Sequence, residues 1–200
     1  MEGQAAGGEG FPAASPAAVD RWTRNVDNRR GIQCDCTEGG EFVPVLVQRI
    51  VDEAIRFERN LASLYLQFFE AFPEDGELWW ELSVSEAGHA SLLESSQKLF
   101  RDEFAHEMVD ADLDGLRRSN EDLESMIRRL GQEPVDRVEA FRAAIGFEGD
   151  QNERTLLSLL KIESSDPAKD LVGSIQHDDS VHERKIRDYA AGAGIAIDLG

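Results

Sequence analysis

The chain carries one short sequence pattern twice, and a second pattern follows each copy at a similar distance. The first copy spans residues 54–58 (AIRFE) and the second spans residues 144–148 (AIGFE). Each copy ends in a glutamate, and a carboxylate and a histidine three residues apart begin 28 residues later in the first half and 31 in the second. These residues are Glu58, Glu86 and His89, then Glu148, Asp179 and His182. The repeat restricts the chain to folds in which two similar halves share one core.

Apolar residues recur at steps of three and four around all six of these polar positions. Such spacing is typical of amphipathic helices. The four predicted stripes cover residues 47–72, 79–100, 138–162 and 172–189. The polar residues lie near the middle of the stripes, so they are expected to point into the core.

Proline and glycine residues suggest where the helices begin and end. Pro44 fits the first turn of the first helix, where its missing N–H costs nothing, and Pro134 is expected to open the third. Residues 73–76 (PEDG) predict a tight turn between helices one and two, and Gly192 is expected to end the last helix. The sequence therefore predicts an all-α fold, an antiparallel four-helix bundle.

Three segments differ in composition from these helices. Residues 1–40 are rich in Gly, Ala and Pro without a sustained period, which predicts a mobile N-terminal tail. Residues 101–133 are highly charged with a weaker apolar period, which predicts a long, solvent-facing and partly helical crossover between helices two and three. Residues 41–191 then form the bundle, and residues 192–200 form a short C-terminal tail.

The composition disfavours several classes of protein. Forty acidic against 21 basic residues give a net charge of -19, which opposes binding to nucleic-acid phosphates. No run approaches the roughly 18 apolar residues of a membrane span, and the N-terminus does not resemble a secretory signal, so we expect a cytoplasmic protein. Cys34 and Cys36 are too close in sequence to staple separate segments, and we expect reduced thiols.

Carboxylates within apolar stripes are expensive to bury unless they are paired or bound to a metal. Residues three apart on a helix share a face, so Glu86 with His89, and Asp179 with His182, can each offer a metal one oxygen and one nitrogen. Four carboxylates and two imidazoles suit iron or manganese. The alternative is a bundle with buried Glu–His hydrogen bonds and no metal, acting as a structural or interaction protein.

Other carboxylates and histidines compete for these roles. Glu103 and His106 repeat the carboxylate–histidine spacing but lie about 17 residues beyond Glu86, roughly 25 Å along a helix, so we expect them at the surface. Glu153 and Glu163 compete with Glu148 on the third helix, and Glu153 would break the symmetry about the two predicted turns. His177 is predicted to face solvent.

Together these residues resemble the rubrerythrin branch of the ferritin-like superfamily, over about residues 43 to 190. The resemblance implies that Glu58 and Glu148 bridge two iron ions, with manganese as the alternative. Glu86, Asp179, His89 and His182 would complete the ligand set. The chain departs from the family pattern in three ways: Asp179 replaces a commoner Glu, Gln151 stands where rubrerythrins carry a further Glu, and the rubredoxin domain is absent.

The resemblance implies an oxidoreductase that reduces peroxide or oxidises ferrous iron with dioxygen. The electrons would come from an unidentified donor. A di-metal hydroxylase of an organic substrate and a non-catalytic metal-binding bundle are the alternatives. Tyr65 lies seven residues after Glu58 and is either a redox-active neighbour of the metals or a core tyrosine. A homodimer is the default expectation for the oligomeric state.

Overall fold

The structure is a computed structural model that describes residues 43–99, 101, 108–150 and 166–197. Several sequence predictions fall elsewhere in the chain. They concern the N-terminal tail, Cys34 and Cys36, the carboxylate–histidine pair at Glu103 and His106, and the competing residues Glu153 and Glu163. These predictions lie outside the described residues.

Helices make up most of the described residues, as the periodicity predicted. In chain order the elements are β1 (Val43–Leu46), α1 (Val47–Ala71), a short 3-10 helix (Pro73–Asp75), α2 (Gly76–Leu99), β2 (Met108–Ala111), α3 (Leu113–Leu130), α4 (Arg137–Glu148) and α5 (Asp166–Gly192). None of the described helices combines the length and the apolar character that crossing a membrane requires.

Two short strands were not predicted. β1 and β2 pair in antiparallel fashion, with Val43 opposite Ala111 and Leu46 opposite Met108. Pro44 therefore lies in β1, and its assignment to a first helical turn was wrong. A proline that lacks a backbone N–H is tolerated in a strand at a sheet edge, and both strands of a two-stranded sheet are edges. Helical periodicity gives no sign of such a pairing, because the partner strand lies more than 60 residues away.

The hairpin of α1 and α2 contributes many of the largest buried side chains. The fully buried residues of this pair include Ile50, Phe57, Leu64, Tyr65, Phe68, Trp79, Leu82 and Leu93. Burying a large apolar side chain stabilises a fold by roughly 1.5–3 kcal/mol. The turn between the helices follows the predicted position, with the 3-10 helix at Pro73–Asp75 and α2 starting at Gly76.

The crossover contains a helix with a buried face, so its prediction as a solvent-facing segment was wrong. In α3 the side chains of Leu116 and Leu123 are fully buried, and the helix packs against α1. The buried amide of Asn120 accepts a hydrogen bond from Asn60 of α1 (3.3 Å) and donates to the backbone carbonyl of Glu53 (3.1 Å). Because this face carries polar residues, its burial could not be recognised from the sequence.

α4 begins later than predicted, and the predicted helix is interrupted after Glu148. It begins at Arg137 rather than at Pro134, and the Asp136 side chain caps it by accepting a hydrogen bond from the backbone N–H of Glu139 (2.8 Å). It ends at Glu148, and Gly149 and Asp150 are not helical, whereas residues 151–162 of the predicted helix lie outside the described residues. A Cβ at Gly149 would lie 3.2 Å from the carbonyl oxygen of Ile145, which is tighter than ordinary contacts and favours glycine at this helix end.

α5 packs against α2 and α4, and it ends at Gly192 as predicted. Ile175, Asp179, His182 and Ile186 are buried along one of its faces, in agreement with the predicted stripe. His177 is exposed, also as predicted. α5 thus brings the second carboxylate–histidine pair to α2, which carries the first pair.

Candidate metal centre

The structure brings the six repeated carboxylates and histidines together in one buried cluster. All six side chains belong to residues that are at most 9% exposed, and Glu86 is 0% exposed. Four helices contribute them: Glu58 from α1, Glu86 and His89 from α2, Glu148 from α4, and Asp179 and His182 from α5. Their donor atoms fall into two groups whose members lie within 4.8 Å of one another.

The first group contains Glu58, Glu86, His89 and Asp179. Nδ1 of His89 is its centre: it lies 2.7 Å from Glu86 Oε2, and 3.6 Å from both Glu58 Oε2 and Asp179 Oδ1. One imidazole nitrogen therefore faces three carboxylates from three helices.

The second group contains Glu86, Glu148 and His182. Nδ1 of His182 lies 2.7 Å from Glu86 Oε1 and 3.7 Å from Glu148 Oε2. Glu86 thus belongs to both groups and presents one oxygen to each histidine. Among the described residues it is Glu86 that spans the groups, whereas the resemblance implied that Glu58 and Glu148 do so.

The pairing of donors also differs from that expected from the sequence. Asp179 and His182 share a face of α5, and their spacing suggested that both would serve one metal. In the structure Asp179 belongs to the first group and His182 to the second. The two histidine rings lie nearly parallel, with centroids 5.6 Å apart and an interplanar angle of 23°.

Several polar atoms of the cluster have no hydrogen-bond partner within the described part of the chain. They are Glu58 Oε1, Glu86 Oε1, His89 Nε2 and His182 Nδ1. The 2.7 Å approach of His182 Nδ1 to Glu86 Oε1 is close enough for a hydrogen bond but lacks the required orientation. Buried polar atoms are nearly always satisfied, and an exception needs an explanation such as a bound ion. Close donor atoms without hydrogen-bond geometry are what a shared cation would produce.

Burial and mutual contact shift the pKa values of the carboxylates and of His89 in different directions. Burial raises the pKa of Glu58 and of Glu148, and the nearby carboxylates raise both further. Burial would also raise the pKa of Glu86, but the contacts with His182 and His89 outweigh it and lower that pKa to about 2. Burial opposes the charged form of His89, yet Glu58 and Glu86 raise its pKa to about 11. Perturbed groups of this kind are concentrated at functional sites.

The donor set fits a pair of divalent cations. Four ionised carboxylates balance the four positive charges of two such ions, and two neutral imidazoles add a nitrogen to each group. Carboxylate oxygens with imidazole suit iron and manganese, whereas sites selective for softer ions rely on thiolates. Without cations, the same cluster would gather four carboxylates in a buried volume, which is costly.

Two neighbouring side chains extend the cluster. The hydroxyl of Tyr65, which is fully buried, donates a hydrogen bond to Glu148 Oε1 (2.6 Å), and burial raises its pKa. Asp178, whose side chain is 51% exposed, places Oδ2 3.5 Å from Nε2 of His89. The sequence analysis identified Tyr65 but missed Asp178. The position of Asp178, one residue before the predicted ligand Asp179, could have indicated that it lies near the cluster.

No protein-family model, curated protein or solved structure matches the chain.

Proposed function

We propose that this chain is a di-metal carboxylate protein, an oxidoreductase of the rubrerythrin-like kind that reduces peroxide or oxidises ferrous iron. The observation that carries the proposal is the position of Glu86. This fully buried carboxylate directs its two oxygens to two different histidines, each 2.7 Å away, and each histidine faces further carboxylates. A carboxylate between two groups of donors is suited to bridge two cations.

The arrangement of the helices supports the same proposal. α1, α2, α4 and α5 each supply at least one donor, and two of them supply a carboxylate and a histidine three residues apart. That distribution is the one found in ferritin-like di-metal bundles. We therefore propose a ferritin-like four-helix bundle for these four helices, with α3 packed against α1.

Each donor has a definite role in this proposal. Glu86 holds both ions, Glu58, His89 and Asp179 complete the first site, and Glu148 and His182 complete the second. Two ferrous ions bound there would supply the electrons that reduce peroxide or dioxygen. The protein fixes the spacing of the donors and excludes bulk water, because all six residues are buried. Tyr65 orients Glu148 through its hydrogen bond.

A non-catalytic structural bundle is the second candidate. Two hydrogen bonds that need no metal favour it, one between Glu86 and His89 (2.7 Å) and one from Tyr65 to Glu148 (2.6 Å). These bonds leave four other buried polar atoms of the cluster unsatisfied, so they account for only part of it. A metal-loaded protein that neither consumes peroxide nor oxidises Fe(II) faster than buffer would favour this candidate.

Metal content tests the proposal directly. After anaerobic loading with Fe(II) and removal of free metal, elemental analysis should give about two irons per chain, one for each group of donors. The double variant Glu58→Ala with Glu148→Ala should lose this binding. Glu81→Gln is the matched control, because Glu81 lies on α2 but pairs with Lys185 at the surface. A wild-type content near zero after loading with either iron or manganese would refute the proposal.

A further inference from the structure

An unbroken series of aromatic rings leads away from the buried carboxylate cluster. It starts at Tyr65, whose hydroxyl contacts Glu148. The Tyr65 ring stacks on Trp79 of α2, with centroids 5.8 Å apart and an interplanar angle of 22°. Both rings are fully buried. The cluster is therefore connected through a phenol to an indole by direct ring contact.

Phe141 of α4 continues the series to a second tyrosine. Its ring lies 4.7 Å from Trp79 and 5.9 Å from Tyr189 of α5, the latter nearly parallel at 7°. These two distances set an upper limit on the separation of Trp79 and Tyr189. Within that limit one electron can tunnel through Phe141 in a single step.

Tyr189 brings the series to the surface. Its ring is partly buried, while its hydroxyl is at the protein surface and donates to the backbone carbonyl of Glu74 (3.4 Å). Arg137, which pairs with Asp75, lies over the face of Phe141 beside this position, 6.0 Å from the ring centroid. The outer end of the series is thus polar and accessible to a small reductant.

We propose that Tyr65, Trp79 and Tyr189 form a one-electron transfer path that carries electrons from an external reductant at the surface to the buried carboxylate cluster. This inference rests on the proposed di-metal function, because it assumes that an oxidant arises there from peroxide or dioxygen. The reductant is a small one-electron donor of the ascorbate or thiol class, which also supplies a proton.

Each step of the path balances in electrons and protons. An oxidant in the centre removes one electron from Tyr65, and the phenol proton moves along the existing hydrogen bond to Glu148 Oε1. An electron from Trp79 then reduces the Tyr65 radical, and the proton returns from Glu148 to the phenolate oxygen. Tyr189 reduces the Trp79 radical cation and releases its own proton to water. The external donor finally returns one electron and one proton to Tyr189.

The surroundings of Trp79 are better explained by a role in electron transfer than by a role in core packing alone. Its indole N–H is buried and has no hydrogen-bond partner among the residues the structure describes. An indole that cannot pass its proton to an acceptor stays a cation radical after oxidation. The Tyr65 radical forms this cation radical in a reversible, uphill step, and the step is drawn forward because Tyr189, supplied by the external donor, reduces the Trp79 cation radical readily. The adjacent Trp80 is 42% exposed, and its ring contacts Phe69, away from the series. Trp80 therefore provides a matched control.

The chain composition allows a test in the metal-free protein. It contains three tryptophans and two tyrosines, so the variant Trp22→Phe with Trp80→Phe keeps Trp79 as its single indole, with Tyr65 and Tyr189 as its only phenols. Photoionisation of Trp79 by a laser flash should be followed by conversion of the tryptophan radical absorption into tyrosyl absorption, at a rate independent of protein concentration. Replacing Tyr65 by Phe in this background leaves Tyr189 as the only phenol and should keep a tyrosyl signal, and replacing both tyrosines should abolish it. A Trp79 radical that decays without intramolecular tyrosyl formation overturns the inference.

A second experiment starts the path from the centre. Iron-loaded protein is treated with hydrogen peroxide and a nitroso spin trap, and the adducts are mapped by mass spectrometry. Wild type and Trp80→Phe should carry the adduct on Tyr189, whereas Trp79→Phe should lose it. An equal adduct yield at Tyr189 in Trp79→Phe would contradict the path. Failure of the protein to bind both iron and manganese would refute the proposed function, and the flash experiment would still decide whether the rings exchange electrons.

Discussion

Asp179 and His182 lie three residues apart on α5, yet their side chains belong to different groups of donors. Asp179 approaches Nδ1 of His89 (3.6 Å), and His182 approaches Glu86 (2.7 Å). α5 therefore connects the two groups instead of completing one of them. A movement of α5 should therefore affect both groups of donors. The groups differ in composition, since the first has three carboxylates and the second has two.

Glu86→Ala should abolish binding of both metal ions, because this residue belongs to both groups. Glu58→Ala removes a donor from the first group only and should leave about one ion per chain. Elemental analysis after Fe(II) or Mn(II) loading distinguishes the two results. If Glu86→Ala retained one tightly bound ion, Glu86 would not bridge the sites.

The two ions should bind with unequal affinity. The first group offers three carboxylates and the second offers two, so the first should bind a divalent cation more tightly. Asp179→Ala should weaken the tighter phase of a calorimetric titration, and His182→Ala should weaken the looser one. Equal effects of both variants on a single phase would show that the described groups do not act as separate sites.

Asp178→Asn should weaken metal binding by about 10- to 100-fold without removing a ligand. Carboxylates that accept a hydrogen bond from the outer nitrogen of a ligating histidine fix its orientation and raise its basicity. His89 Nε2 has no hydrogen-bond partner among the described residues, but Asp178 Oδ2 lies 3.5 Å away and is placed to accept from it once Nδ1, which faces the cluster, binds a metal. Competition with a chelator measures the change in affinity. Asp188→Asn, an exposed position on α5, is the control and should bind as wild type does.

Metal binding should release protons and should strengthen as pH rises. The pKa of about 11 for His89 means that this imidazole holds a proton near neutral pH in the metal-free protein, and the raised pKa of Glu58, caused mainly by burial, favours its protonated form. A cation must displace these protons before either side chain can act as a ligand. Glu86, with a pKa of about 2, is already ionised and contributes none.

Calorimetry in buffers with different ionisation enthalpies counts the released protons. Glu58→Gln cannot carry the displaced proton and should release fewer than wild type. Proton uptake on binding, or affinity that falls between pH 6 and pH 8, would contradict the assigned directions.

Leu116→Ala should destabilise the protein by about 2–5 kcal/mol, the usual range for truncating a buried leucine. Leu116 would be exposed to solvent if the crossover faced outward, but it is 0% exposed against the core in the structure. Chemical denaturation measures the loss. Arg118→Ala is the control in the same helix, and surface substitutions of this kind change stability by about 0.5 kcal/mol or less. A similar result for both variants would mean that α3 does not pack as described.

The sequence was sufficient to select the six clustered residues because each is a charged or polar group in an apolar stripe. It could not show which donors meet, since spacing along α5 says nothing about its rotation relative to α2 and α4. Asp179 and His182 were paired for that reason. The burial of α3 was missed because Asn120 reads as a surface residue until its partner Asn60 is known. Pro44 was misplaced because a proline is compatible both with a first helical turn and with an edge strand.

Glu148 is the last residue of α4, whereas the other five donors lie within the interior of their helices. Helical hydrogen bonds on both sides restrain the backbone of those five, but the chain leaves the helix at Gly149, directly after Glu148. Small backbone rotations at this junction can move the Glu148 carboxylate without disturbing an intact helix. If the proposed metal ions bind, the second site would therefore have more freedom to change its coordination than the first.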